Sequence, residues 1–148
     1  MIFSKTLGYA LQTVIYLGNQ PPKKPILQKD ISNDLDIPHH YLGKILQPLT
    51  KNGIVDSKTG ATGGFFLTKS PNKIALNDIV TIFDGADCFE ECILGFPGCG
   101  DETPCPVHSE WGAAKTILLK LIKDHSVAEL GSEIGPKLDY IKMLKNSK

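Results

Sequence analysis

Residues 87–111, DCFEECILGFPGCGDETPCPVHSEW, hold all four cysteines of the chain, Cys88, Cys92, Cys99 and Cys105, with His108 close behind the last. Three thiolates and an imidazole in the order C-x6-C-x5-C-x2-H can complete a tetrahedral zinc site or hold two bridged irons. Ligand chemistry and spacing alone do not choose between these. Among Cys92, Cys99 and Cys105 the short C-x2–4-C hairpin of many zinc sites is missing. Pro97, Gly98, Gly100, Pro104 and Pro106 make a loop able to wrap a larger inorganic unit. A disulfide framework is the third possibility, and reversible bridging of Cys88 to a neighbour stays open with it.

The compartment bears on that choice. The N-terminal MIFSKTLGYALQTVIYLGNQ has no basic leader or small-residue cleavage site, so it does not read as a signal peptide. No apolar run approaches the ~18–20 residues of a membrane span. The expected location is cytoplasmic, where thiols stay reduced and clustered cysteines bind metal more often than they pair. An enzyme is disfavoured: the segment shows no general-base pair or substrate motif, and four ligands leave no open coordination position.

The elements that must position this segment follow from periodicity. Leu7, Leu11, Val14 and Leu17 predict a helix over 4–17 with Gly18 as its C-cap, and QPPKKP at 20–25 is a loop. A short helix over 27–35 buries Ile31 and Leu35. Asp36 and Ile37 then connect it to Pro38, a good first helical residue. PHHYLGKILQPLTKNG places Tyr41, Leu42, Ile45, Leu46 and Leu49 on one face, with Gly53 as the stop and Pro48 expected to kink the helix. Two short helices joined by a tight turn, the second flanked by lysines, form a helix-turn-helix pattern. IVDS, KTGATGG and FFLT read as two short strands and a tip, a wing. Gly60, Gly63 and Gly64 supply positive φ and let backbone approach a phosphate. A nucleotide-binding P-loop is discarded because its terminal Lys-Ser/Thr is absent.

Beyond the wing, ALNDIVTIFDG predicts a helix burying Leu76, Ile79, Val80 and Phe83. Val107, Trp111, Ala114, Leu118, Leu121 and Ile122 form a long apolar stripe. SVAE at 126–129 is a capping box, and YIKMLKNSK is an amphipathic, lysine-rich tail expected to fray. The fold class is mainly α with a small β wing. Residues 1–75 form the winged region and 76–148 the metal loop with a long helix, in one compact domain. Part of the stripe is expected to meet a second subunit, because a helix of ~17 residues spans roughly 25 Å and few elements remain to cover it. The expected dimer contacts are Trp111, Ala114, Leu118, Leu121 and Ile122.

The formal net charge is zero, yet residues 1–75 carry nine lysines against four aspartates and the remainder seven lysines against twelve acids, +5 and −5. A basic half joined to an acidic one points to a polyanion-facing module, with an ordinary surface dipole as the alternative. The chain has no arginine, so no guanidinium is available for bidentate guanine contacts and recognition falls to other side chains or to DNA shape. The expected contacts with double-stranded DNA are Lys29, His39, His40, Tyr41, Lys44, Gln47 and Lys51, with Lys58, Thr59, Gly60 and Thr62 of the wing. His39 and His40 read equally well as solvated turn residues, and His125 as a surface residue.

LGYALQTVIYL in the first helix, IPHHYLGKILQPLTKNGIV, GATGGFFL, LNDIVTIFDG, and three cysteines leading into a long helix together resemble, nearly end to end, the winged-helix bacterial regulators of the Rrf-two family, typified by IscR and NsrR. The resemblance implies a dimeric repressor or activator, bound to a pseudo-palindromic operator, whose cluster loop tunes DNA affinity. It implies a [2Fe–2S] cluster on Cys92, Cys99, Cys105 and His108, with Trp111 following as in IscR-like members. The first Cys–Cys spacing is one residue longer than in that group, and Cys88 is an additional thiol. NsrR-like members take an aspartate from the first helix of the partner subunit; here Gly8 matches that position and offers no ligand, which favours His108. The function so implied is redox, iron or nitric oxide sensing. The alternative is a cluster-free or zinc-bound, thiol-responsive regulator or interaction scaffold.

Overall fold

Ser4 opens the first helix: its hydroxyl oxygen accepts the Leu7 N–H at 3.1 Å, satisfying a first-turn donor that has no partner within the helix. Helix α1 (Lys5–Gly18) buries Leu7, Ala10, Val14 and Leu17 along one side, and Leu11 is only half-buried. The computed structural model, which describes residues 3–148, continues with α2 (Gln28–Leu35), α3 (His39–Lys51), strands β1 (Val55–Lys58) and β2 (Gly64–Leu67), a 3-10 turn at Pro71–Lys73, and helices α4 (Leu76–Asp84), α5 (His108–Asp124), α6 (Val127–Glu133) and α7 (Gly135–Asn146). Gly18 lies inside α1 and Asn19 caps it. Glycine is needed at 18 for packing instead, since a Cβ there would sit 2.6 Å from Val127 of α6.

The turn between α2 and α3 is held from both sides. Asp36 takes a left-handed conformation, φ 56°; the Ile37 N–H donates to Ser32 O at 3.1 Å and the Ser32 hydroxyl to Ile37 O at 2.6 Å. Ile37 is buried, which plants the turn in the core. Pro38 occupies the cap with extended ψ rather than the first helical position. Helix α3 buries Leu42, Ile45, Leu46 and Leu49 and runs as one helix through Pro48, although proline removes one backbone bond there.

The wing strands pair antiparallel, Val55 with Leu67 at the buried base and Lys58 with Gly64 toward the tip. Ile26 bridges to Phe65 through N–H···O bonds of 2.9 and 2.8 Å. That bridge dictates Gly64, since any Cβ at this position, φ 141°, would collide with the Ile26 backbone. The glycine therefore serves the chain's own packing rather than a phosphate approach.

Helix α4 packs on α1 and α3 through Leu76, Ile79 and Val80, and its Asp84 carboxylate accepts the Ser4 N–H at 3.0 Å. Phe83 is only half-buried. The chain returns beside this start: Val127 N–H donates to Ile74 O at 2.8 Å and Leu76 N–H to His125 O at 3.3 Å. Ser126 caps α6 by accepting the Glu129 N–H, but the Glu129 carboxylate turns to His125 Nδ1 at 3.2 Å, so only half of the expected capping box forms. The expected frayed tail is the ordered helix α7, resting on α2. Between residues 85 and 121 only Phe89 belongs to the buried core. Among the described residues no helix is long and apolar enough to cross a membrane.

Candidate functional site

The cysteine segment joins α4 to α5 without regular structure, and its order comes from a few specific contacts. Phe89 is buried and meets Phe3 edge to face at 5.7 Å. The Trp111 indole N–H donates to Glu91 O at 3.1 Å, pinning the first turns of α5 to the residue before Cys92. Within this frame the sulfurs of Cys92, Cys99 and Cys105 all lie within 4.8 Å of one another, Cys92 and Cys105 at 3.3 Å. His108, the first residue of α5, brings Nδ1 to 3.4 Å from the Cys99 sulfur, while its Nε2 faces an Asp101 carboxylate oxygen at 3.0 Å. An imidazole held by a carboxylate at one nitrogen presents the other to a metal with its lone pair free, an arrangement common behind metal-bound histidines.

The protonation of these groups reflects their closeness. The Cys105 N–H, 3.4 Å from the sulfur, and then the His108 ring lower the Cys99 thiol to about 7. Loss of surrounding water is the main cause that pushes the Cys105 thiol up to about 11. Asp101 first, then Cys99, raise His108 above the ordinary histidine value. A cation placed among them would favour the thiolate throughout, because the ligating form is the deprotonated one. Cys88 stands apart from this group: burial, then Asp84 and Asp87, raise its thiol, and it packs against the core.

The structure sorts the expected DNA contacts. His40, Lys44, Gln47 and Lys51 recur at helical spacing and are all exposed, an open face opposite the buried one. His39, Lys29, Lys58, Thr59, Gly60 and Thr62 are also exposed. Tyr41 is not available in the same way. Its hydroxyl lies 2.8 Å from Thr6 Oγ1 and its ring meets Tyr9 edge to face at 5.3 Å, so it belongs to the seam between α1 and α3.

The apolar stripe of α5 divides likewise. Ile122 is 2% exposed within the chain's own core, which removes it from an intersubunit role. Trp111 and Leu118 are half-buried against the same core. Ala114, Ile117 and Leu121 face outward, Ile117 being 72% exposed. Ile117 escaped the sequence reading because apolar residues lie on both sides of this helix. Gly8 on α1 has open space where a Cβ would stand, so nothing within the chain requires glycine there.

A helix-turn-helix followed by a two-stranded wing is the architecture of winged-helix transcriptional regulators. The chain belongs to the Rrf2 family, iron-dependent transcriptional regulators, whose model matches residues 3–133. A protein of Aquifex aeolicus described as an HTH-type transcriptional regulator is 34% identical over 132 residues, 88% of this chain and 91% of that one. The HTH-type transcriptional regulator IscR of Pectobacterium carotovorum is 31% identical over 122 residues, 82% of this chain and 74% of its own length. Among solved structures, CymR, the global cysteine regulator of B. subtilis, superposes with a TM-score of 0.72 at 25% identity, covering 88% of this chain and 96% of that one.

Proposed function

We propose that this regulator is a cytoplasmic homodimer that reads a pseudo-palindromic operator with α3 and the wing, its affinity set by a [2Fe–2S] cluster on Cys92, Cys99, Cys105 and His108. The observation that carries the reading is the convergence of three sulfurs and one histidine nitrogen, backed by Asp101. The family's iron dependence supports iron over zinc. When bound, the cluster would supply a redox- and nitric-oxide-sensitive centre whose potential a histidine ligand raises. The chain's own part is mechanical: His108 begins α5 and Trp111 ties that helix to Glu91, so ordering the loop fixes the start of α5. Ala114, Ile117 and Leu121 present that helix to a second subunit, which would carry the loop state to both winged modules. On this reading residues 1–75 recognise DNA and 76–148 detect the signal and pair the subunits, with Cys88 a spare or resolving thiol.

The compactness of the sulfurs favours a second reading. Ligands around one tetrahedral zinc stand about 3.8 Å apart, so a single ion needs less rearrangement than two irons do. Purification without oxygen, with visible absorption and iron and sulphide assays, separates the readings. A reddish-brown protein holding iron and sulphide is expected, and a colourless zinc protein would overturn the cluster. Cys92→Ala, Cys99→Ala and Cys105→Ala should each lose the absorption, His108→Ala should weaken or shift it, and Cys88→Ala should keep it. A colourless Cys88→Ala beside a normal His108→Ala would make the ligand set four cysteines.

A further inference from the structure

Among the described residues the C-terminal helix makes one charged contact with the DNA-reading half, and the contact falls on the turn that sets the angle between its two helices. The Lys145 ammonium donates to the Asn33 backbone carbonyl at 2.6 Å and to its side-chain oxygen at 2.7 Å, with an Asp36 carboxylate oxygen at 3.8 Å. Asn33 lies in the last turn of α2, where carbonyls have no partner within the helix and a cation is favoured by the helix dipole. Asp36 holds a left-handed backbone that a residue other than glycine keeps only when its surroundings enforce it. An ammonium has three donors; Asn33 engages two of them, and the Asp36 carboxylate stands beyond hydrogen-bond reach as an ion pair.

We propose that Lys145 is a positioning residue for DNA recognition. From α7 it clamps the end of α2 and the left-handed corner, and so fixes how α3 is presented, without touching DNA. The proposal rests on α3 being the recognition helix. It separates Lys145 from Lys29 and His39, which line the same recess and are offered to phosphate. A lysine that neutralises a phosphate adds about 0.9 to the slope of log affinity against log salt; a clamped lysine adds nothing to it. The arrangement also makes the C-terminal helix part of the reading head, since α7 rests on α2 while α6 before it packs on α1.

The test uses the full-length dimer and a duplex selected from a random pool by the wild-type protein. Lys145→Met keeps the length of the side chain and removes its charge. It should weaken binding about fivefold, the order expected for losing a cation at a helix C-terminus, with an unchanged salt slope. Amide exchange should quicken at Asp36 and Ile37 of the turn while α3 keeps its protection. Asn33→Ala should give a smaller loss, and in the Lys145→Met background it should add less than it does alone. A slope reduced by about 0.9 with normal exchange would make Lys145 a phosphate contact and overturn the clamp, as would unchanged exchange at Asp36 and Ile37. If the wild-type protein selects no duplex, the recognition-helix reading fails, and the exchange measurement still decides the clamp.

Discussion

The wing and the cysteine loop are both glycine-rich connections, but Gly63 and Gly64 of the wing and the glycines of the loop are there for different reasons. In the wing, Gly63 and Gly64 are wedged against backbone, the one by Lys58 and the other by Ile26. In the loop, Gly95 and Gly98 take positive φ, and around them and Gly100 no atom lies within reach of an added Cβ. Gly64 is thus demanded by tertiary contact and Gly63 by the backbone of its own hairpin, whereas Gly60 at the wing tip, φ 103° with open space around it, serves the local path of the chain as the loop glycines do. The winged half is a preset surface. The loop is held by Phe89, Trp111 and the contacts among its cysteines and His108, with few buried apolar contacts to resist local opening.

The contrast can be broken by mutation. Leu42→Ala, in the fully buried heart of α3, should lower unfolding stability by about 2–5 kcal/mol, read from urea melts; a loss below 1 kcal/mol would deny the winged half its rigid core. Joint replacement of Ile117 and Leu121 by Asp asks whether α5 belongs to the fixed part through a second subunit. Burying unpaired carboxylates there should raise the dimer dissociation constant by about a hundredfold or more, and sedimentation showing an intact dimer at low micromolar concentration would place the interface elsewhere. Gly64→Ala should cost about 1–3 kcal/mol through backbone strain against Ile26. Lys58→Ala should reduce the salt slope of DNA binding by about 0.9, and an unchanged slope would take the wing off the phosphate backbone. Smallest of all, Gly100→Ala should stay within about 0.5 kcal/mol of wild type.

The winged half was legible because its helices obey a simple rule, apolar residues at helical spacing with one wet side. Leu42, Ile45, Leu46 and Leu49 could be assigned to the core unseen, and Lys44, Gln47 and Lys51 to the exposed face. Tyr41 misled because an amphipathic ring satisfies both faces of that rule, and only the Thr6 and Tyr9 contacts decide it. Periodicity was weaker on α5, where Ile117 and Ile122 lie on different sides, and on α7, whose inward side includes a lysine. The candidate ligands could be proposed from residue types, but the pairing of His108 with Asp101 could not, since it depends on an irregular loop folding back across seven residues.

The clasp between Ile74 and Val127 and between Leu76 and His125 has an evolutionary consequence. Where a chain leaves a scaffold and returns at one point, the excursion can lengthen, shorten or be exchanged while the scaffold keeps its path, because loop-closure entropy changes only slowly with length. Helix α4 is committed to the core, which leaves the stretch from Gly85 into α5 as the exchangeable cassette. The same winged half can then carry different loops, and a cysteine spacing altered by one residue is a variation such a cassette absorbs without disturbing α2, α3 or the wing.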